Sequence, residues 1–394
     1  MKILHLIASV DPKAGGPIEY ARVMAESHAG LGHQSVFVTT DHPESPALQG
    51  FPFEVAAVGP AKPRAAAIKK YAKAVAVAAK TADVVVIHGL WHVVSMAGLK
   101  PLKVANVPWV TFTHGMLDPY FKTAKPLKHF LKQIVWTLNQ GYALTGAHSV
   151  LFTCEEERQL AQNAFWGHQE YQGKVVSFCA ADLTLSDPEF DVGQELFSSQ
   201  VPNLDGRKYL LFLSRIHPKK ACDNLIKAFS KLSDTFDNVD LVFAGPDQVG
   251  WQSELAALTR DLGVDTRVHW AGMTQDAAKA AAFKNAEAFV LPSHQENFGI
   301  VVAEALSVSL PVLISHRVNI WREIIEDGAG FSGEDTIEDT TRVLHDFLSL
   351  TDEKRIEMKA NARPCYEKRF SVESAARDLL MVLQEAIDDQ GRTQ

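Results

Sequence analysis

Short, nearly unbroken apolar runs recur along this chain, each closed by a turn bearing glycine, histidine or proline and followed by a segment with helical apolar spacing. The first run, Lys2 to Val10, sets Ile3, Leu4, Leu6 and Ile7 almost consecutively, as a strand covered on both faces requires. The loop DPKAGGP follows, then IEYARVMAESHAGLG, with Pro17 suited to a first helical turn and Gly32 to a helix end. Ser35 to Thr40 resumes as a strand, and the alternation continues through a helix near Ala65 to Lys80, strand Asp83 to Ile87, helix Trp91 to Val104 and strand Trp109 to Thr113. Val150 to Thr153 and Val175 to Phe178 complete this series; Tyr209 to Leu213, Asp240 to Ala244, Val268 to Trp270 and Phe289 to Leu291 form a second. Such alternation predicts α/β architecture with doubly wound parallel sheets, whose ligands bind outside the carboxyl ends of the strands.

A chain of 394 residues exceeds one ordinary core, so two domains are expected. Periodicity lapses between Ala180 and Lys208, where Pro188, Gly193, Pro202 and Gly206 fall among scattered acids. The expected division is a domain at 1–190, a linker at 191–207, a second domain at 208–370 and an amphipathic helix at 371–394. A net charge of −8, with all the excess acid beyond residue 200, argues against a nucleic-acid partner. Four widely spaced cysteines suit neither a disulfide framework nor a zinc site and point to a reducing, cytoplasmic compartment. The run at the start is broken by Asp11 and reads as a first strand rather than a leader, and no apolar stretch is long enough to span a membrane.

Several strand ends carry chemistry. Gly15-Gly16 expose backbone just before a helix, a place where an anion can approach, although a mere tight turn has the same composition. Histidine-glycine pairs follow two strands, His88-Gly89 and His114-Gly115; Trp91 and His92 lie close to the first. Zinc binding by His88, His92 and His114 would need a completing acid or cysteine, and none is suitably placed. After the Tyr209 strand come Arg215, His217, Lys219 and Lys220, a basic cluster poised for an anion or simply solvated. In FVLPSHQENFGIVVAEALSVSLPV, Pro292 closes a strand and Gly299 opens a helix whose free amides form a phosphate seat. Glu296 and Glu304 bracket that seat and can address different parts of one ligand; the alternative is a dipole-complementing acid and a solvated helix residue. Finally, Lys122, Lys125, Lys128 and Lys132 interleave with Tyr120, Phe121, Phe130 and Trp136, and Lys69, Lys70 and Lys73 add charge. Such a stretch suits contact with an anionic membrane surface, or an ordinary helix with a solvated lysine face.

The Glu296-to-Glu304 stretch resembles the E-x7-E signature of retaining glycosyltransferases of family 4, which have the GT-B fold. Thr113-His114-Gly115 resembles that family's T-x-H-G element, and Arg215 with Lys220 its R-x-x-x-x-K-G element. The resemblance covers most of the chain and implies two Rossmann-like domains facing across a cleft, with the last helix packed back on the first domain. It implies transfer of a sugar, with retained configuration, from a nucleotide-diphosphate donor to a glycan or glycolipid acceptor in polysaccharide or glycolipid assembly. His114 would then reach the transferred sugar, Arg215 and Lys220 would bind the diphosphate, and Glu296 would position the sugar. Gly15, Gly16, Gly272 and the segment Asn297, Phe298, Gly299 and Ile300 would line the donor, Glu304 would bond its ribose, and His88, Trp91 and His92 would form the acceptor side. No D-x-D occurs, so no metal or other cofactor is expected. The chain departs from the pattern at Ala221 and Ser309, where glycine is usual. Neither the loop at Gly245 nor that at Gly272 distinguishes uracil from guanine, and a nucleotide-sugar epimerase or a non-catalytic nucleotide-sugar binder on the same scaffold stays open.

Overall fold

The computed structural model describes residues 1–59, 64–119, 122 and 126–392. They form two compact units, one of residues 1–178 with 372–394, the other of residues 179–371. The first holds seven strands: β1 Lys2–Leu6, β2 Gln34–Thr39, β3 Glu54–Ala57, β4 Val84–His88, β5 Trp109–Phe112, β6 Ser149–Phe152 and β7 Gly173–Val175. Their order is β3-β2-β1-β4-β5-β6-β7, and every pair is parallel. The second unit holds β8 Lys208–Leu213, β9 Val239–Ala244, β10 Val268–Gly272, β11 Ala288–Leu291, β12 Val312–Ser315 and β13 Gly330–Gly333. This sheet runs β10-β9-β8-β11-β12-β13, again all parallel. Both are Rossmann-like, with central strands buried throughout because helices cover both faces.

Two edge strands, β3 and β13, are absent from the sequence reading. EVAA alternates exposed and half-buried residues over only four positions, and GFSG has one large apolar side chain, so neither gives the continuous apolar signal of a central strand. The helix expected at Trp91 to Val104 is two, Val93–Ala97 and Leu99–Ala105, meeting at Gly98. A Cβ on Gly98 would lie 2.9 Å from Leu6 Cδ1, so glycine there brings the helices down onto β1.

The linker at 191–207 is corrected. Asp187–Gln200 is a helix of the second unit, opened by a Ser186/Glu189 capping box with Pro188 in its first turn. Gly193 is a contact point rather than a breaker: its added Cβ would fall 2.3 Å from the Ala277 carbonyl oxygen of helix Asp276–Lys284. The terminal helix, Val372–Arg392, belongs to the first unit and meets helix Gly16–Gly30 through the Ala376 carbonyl, 3.1 Å from buried His28 Nε2. All four cysteines are buried and outside any disulfide. No helix of the described residues is long and apolar enough to cross a membrane.

Candidate functional site

In the second unit the loops beyond β8, β9, β11 and β12 converge. Ser214, directly after β8, donates to the Ala244 carbonyl at 3.0 Å, and Ile216 to that of Pro246 at 2.9 Å, so the two loops continue side by side past the sheet edge. Gly245 permits this: its φ is +127° and a Cβ would stand 2.1 Å from the Ser214 carbonyl oxygen. Arg215 emerges exposed, its Nη1 donating to Gln248 Oε1 at 3.0 Å. Asp247 caps the helix Gln252–Asp261 instead, accepting from the amides of Trp251 at 2.9 Å and Gln252 at 3.0 Å.

Lys220 ends a 3₁₀ turn, Pro218–Lys220, and is buried. Its ammonium pairs with the Glu296 carboxylate. Ala221, next in the chain, takes φ +54°, ψ +39°, so the loop keeps a left-handed shape despite carrying a Cβ. Ser309 does the same at φ +63°; its amide donates to Leu306 and that of Leu310 to Ala305, a Schellman end to the helix Ile300–Ser307. Both departures from glycine thus retain a glycine-like backbone.

Gly299 precedes that helix at φ +75°, ψ +65°, with a Cβ position 3.2 Å from Glu296 Cγ. Glycine therefore serves twice, for backbone shape and for the passage of the Glu296 side chain. The Gly299 and Ile300 amides have no backbone acceptor among the described residues, as the open end of a helix should leave them. Phe298 turns its ring into the core against Phe370, centroids 5.6 Å apart. Asn297 Oδ1 accepts from Asn319 Nδ2 at 3.3 Å. Arg215, Lys220, Glu296 and Asn297, with His217, Lys219, Gln248 and Gln295, line a pocket of about 630 Å³. Gly272 ends β10 at φ +68°, with open space where its Cβ would be, and does not line that pocket.

Glu304 is not a solvated helix residue. It is 6% exposed, Lys279 Nζ lies 2.6 Å from its Oε1, and its Oε2 is buried with no hydrogen-bond partner among the described residues. Lys279 escaped the sequence reading because, on an alanine-rich helix far from any motif, it looks like a surface lysine.

In the first unit Gly15 takes φ +92°, ψ −157°, a conformation only glycine holds comfortably, and Gly16 starts the helix. His114 lies just beyond β5 at φ +49°. Its loop is tied by Glu157, whose Oε1 accepts from Thr113 Oγ1 and the Gly115 amide, both at 2.7 Å, and whose Oε2 accepts from the Thr153 amide and hydroxyl at 2.8 and 2.6 Å. Burial lowers the His114 pKa to about 3, leaving the ring neutral. Glu157 was also missed, since three consecutive glutamates at a helix start read as dipole-complementing charge.

The acceptor-side trio is separated by the structure. His88 belongs to β4, is 5% exposed, and sits between His5 and His114 with 3.1 Å to each, so it faces no open wall. His92 caps helix Val93–Ala97, its Nδ1 accepting from the Val94 amide at 3.4 Å. Trp91 packs on Phe165, with Lys132 Nζ 4.6 Å above its ring. These placements remove the zinc reading of His88, His92 and His114; among the described residues the metal-capable cluster is His148, Glu385 and Asp389, far from any sequence motif. Of the basic-aromatic stretch, Tyr120, Phe121 and Lys125 lie outside the described residues. Helix Pro126–Val135 buries none of its residues: Leu127, Phe130, Leu131 and Ile134 are all exposed, whereas Trp136 is fully buried.

Known proteins fit this geometry. A glycosyltransferase from Rickettsia africae superposes with a TM-score of 0.77 over 98% of each chain, at 15% identity. HepE of Anabaena, crystallised with UDP and glucose, gives 0.70 at 19% identity over 98% of this chain and 100% of its own. Both likenesses concern the fold, which is GT-B. In sequence, a phosphatidyl-myo-inositol mannosyltransferase of Mycobacterium leprae is 31% identical over 33% of this chain and 35% of its own. An alpha-D-kanosaminyltransferase of Streptomyces kanamyceticus is 28% identical over 46% and 47%. The matched stretches thus span about a third to a half of these curated relatives. Residues 15–209 match the glycosyl transferase 4-like domain and residues 194–364 the glycosyl transferases group 1 family. Together the two matches run from the di-glycine turn through both glutamates, and the chain belongs to the group 1, family 4 glycosyltransferases.

Proposed function

We propose that the protein transfers a sugar from a nucleotide-diphosphate donor to an acceptor hydroxyl, with retention and without a bound metal, in polysaccharide or glycolipid assembly. The observation that carries this reading is one pocket uniting Arg215, the Lys220–Glu296 ion pair and Asn297, two residues before the glycine that leads the next helix. Breaking the bond between the anomeric carbon and its phosphate oxygen leaves negative charge on the diphosphate. Cations and amides fixed in advance to meet that charge lower the barrier most. Arg215, Lys220 and the Gly299 and Ile300 amides are such donors. Lys220 would exchange part of its pairing with Glu296 for the phosphate, freeing that carboxylate to accept from sugar hydroxyls. The acceptor oxygen bonds to the anomeric carbon on the face the phosphate leaves, and its proton passes to the departing phosphate oxygen.

The free Oε2 of Glu304 suits a ribose hydroxyl. On the same reading, His114 and the Gly15-Gly16 turn are the substrate-contacting groups of the first unit. The exposed row Leu127, Phe130, Leu131, Ile134 and Leu138, beside Lys128, supports docking on anionic lipid, which suits a lipid-linked acceptor.

The test is mass spectrometry of the protein incubated with UDP-, GDP- and ADP-sugars, with and without added divalent metal. Slow release of one nucleoside diphosphate is expected. Conversion to an isomeric nucleotide sugar would instead establish an epimerase, and binding with no turnover, even with glycan and glycolipid acceptors, a non-catalytic binder.

A further inference from the structure

Three imidazoles stand in a row inside the first unit. His5 is opposite Val86 in the β1–β4 register and His88 opposite Phe112 in the β4–β5 register. Each histidine is therefore two residues beyond its neighbour's cross-strand partner, and because side chains alternate along a strand, His5, His88 and His114 share one face. They climb diagonally toward the carboxyl edge. His5 Nδ1 is 3.1 Å from His88 Nε2, and His88 Nδ1 is 3.1 Å from His114 Nε2. Phe37 stacks on His5 at 4.6 Å and Phe112 on His114 at 4.4 Å, closing the row at both ends.

Burial, followed for His5 and His88 by repulsion from neighbouring histidines, lowers all three pKa values, so each ring is neutral and holds one proton. Each hydrogen bond in the row needs one N–H and one lone pair, which makes the three tautomers interdependent. The rings are all protonated on Nδ1 or all on Nε2. The second array would bury a His5 Nε2–H that has no acceptor among the described residues, and orphaned buried N–H groups are the rarest kind. The first leaves a bare lone pair there and puts a proton on His114 Nδ1, which has no partner among the described residues.

We propose that His5 and His88 are positioning residues that fix His114 in its Nδ1–H tautomer, presenting a neutral hydrogen-bond donor, not a base, to an oxygen of the substrate. This rests on the transferase reading for its functional consequence, though not for the tautomer itself. Phenylalanine at position 5 keeps the stack but cannot hydrogen-bond; asparagine loses stacking area but can place an amide where Nδ1 stood. A purely structural role makes His5→Phe the milder change, and the tautomer role makes His5→Asn the milder.

The experiment is NMR of the full chain with ring-¹⁵N histidine, together with steady-state kinetics on whichever donor the nucleotide-sugar screen selects. The wild type should show His114 protonated on Nδ1. His5→Asn should keep that signal, while His5→Phe should mix the two tautomers and lower kcat about tenfold at unchanged KM, as loss of a supporting partner does for functional histidines. His114 protonated on Nε2 in the wild type would overturn the proposal without any variant, as would a folded His5→Phe with the His114 signal unmoved. His114→Ala with undiminished transfer would overturn the functional reading instead and leave the tautomer result standing.

Discussion

Lys279 Nζ lies 2.6 Å from Glu304 Oε1, and the other oxygen of that buried carboxylate has no partner among the described residues. The lysine balances the charge of the carboxylate and leaves one of its oxygens unsatisfied among the described residues. Lys279→Met should cost about 3 kcal/mol in the stability of the second unit, because it strands a buried carboxylate. Adding Glu304→Leu should restore most of the loss, since an apolar pair of similar volume needs no compensation. Denaturant unfolding of the single and double variants checks this; a single variant as stable as the wild type would mean that water already serves Glu304.

Lys220→Ala should lower turnover at least about 100-fold, on the order of 3 kcal/mol of lost stabilisation of the departing diphosphate. Release of nucleoside diphosphate from the selected donor is the measurement. Near-normal turnover would remove the lysine from the chemistry.

Ser309 carries a Cβ at φ +63° in the Schellman position. Ser309→Gly removes about 1–2 kcal/mol of left-handed strain and returns about half of it as unfolded-chain entropy. A net gain of roughly 0.5–1 kcal/mol should raise the melting temperature by about 1–4 °C, read by calorimetry.

Burial holds His5, His28, His88 and His114 below the usual histidine pKa. The unfolded chain then binds more protons than the folded one below pH of about 6.5. Their contribution is complete above that value and is lost as the pH falls, for His114 down to about 3. Stability of the first unit should drop from pH 7 to 5 with a slope of up to about 1.4 kcal/mol per pH unit for each histidine. Hydrogen exchange at β1, β4 and β5 amides reads this directly, and His5→Phe should flatten the slope by about one proton.

Phe130→Ser and Leu131→Ser together should reduce binding to phosphatidylglycerol vesicles at least about tenfold, given the apolar area they withdraw. Co-sedimentation with anionic and neutral vesicles checks it. Equal binding by both forms would place lipid contact elsewhere or nowhere.

The alternation of apolar runs and helical periods determined two parallel sheets, because a strand buried on both faces must be almost wholly apolar and that demand is visible residue by residue. The pattern also singled out Glu296, Gly299, Arg215 and Lys220, since loops at strand ends collect unusual residue types at close spacing, and all four lie on the segments that follow β8 and β11. The pairing of Lys220 with Glu296 was not: 76 residues separate them, and only the adjacency of β8 and β11 brings them together. Lys279, Glu157 and His5 were invisible for the same reason. Each looks locally like a surface lysine, a helix-start acid or a core histidine, and its partner lies 25, 44 or 83 residues away. Helix Asp187–Gln200 was hidden differently, because its proline and glycine mark a first turn and a helix contact here, and a break elsewhere. The chain's own pattern specified which elements form and which residues stand at the strand ends; packing decided which charges are buried, which partners they hold, and which rings lie within hydrogen-bond reach, because desolvation and such contacts exist only once distant strands lie side by side.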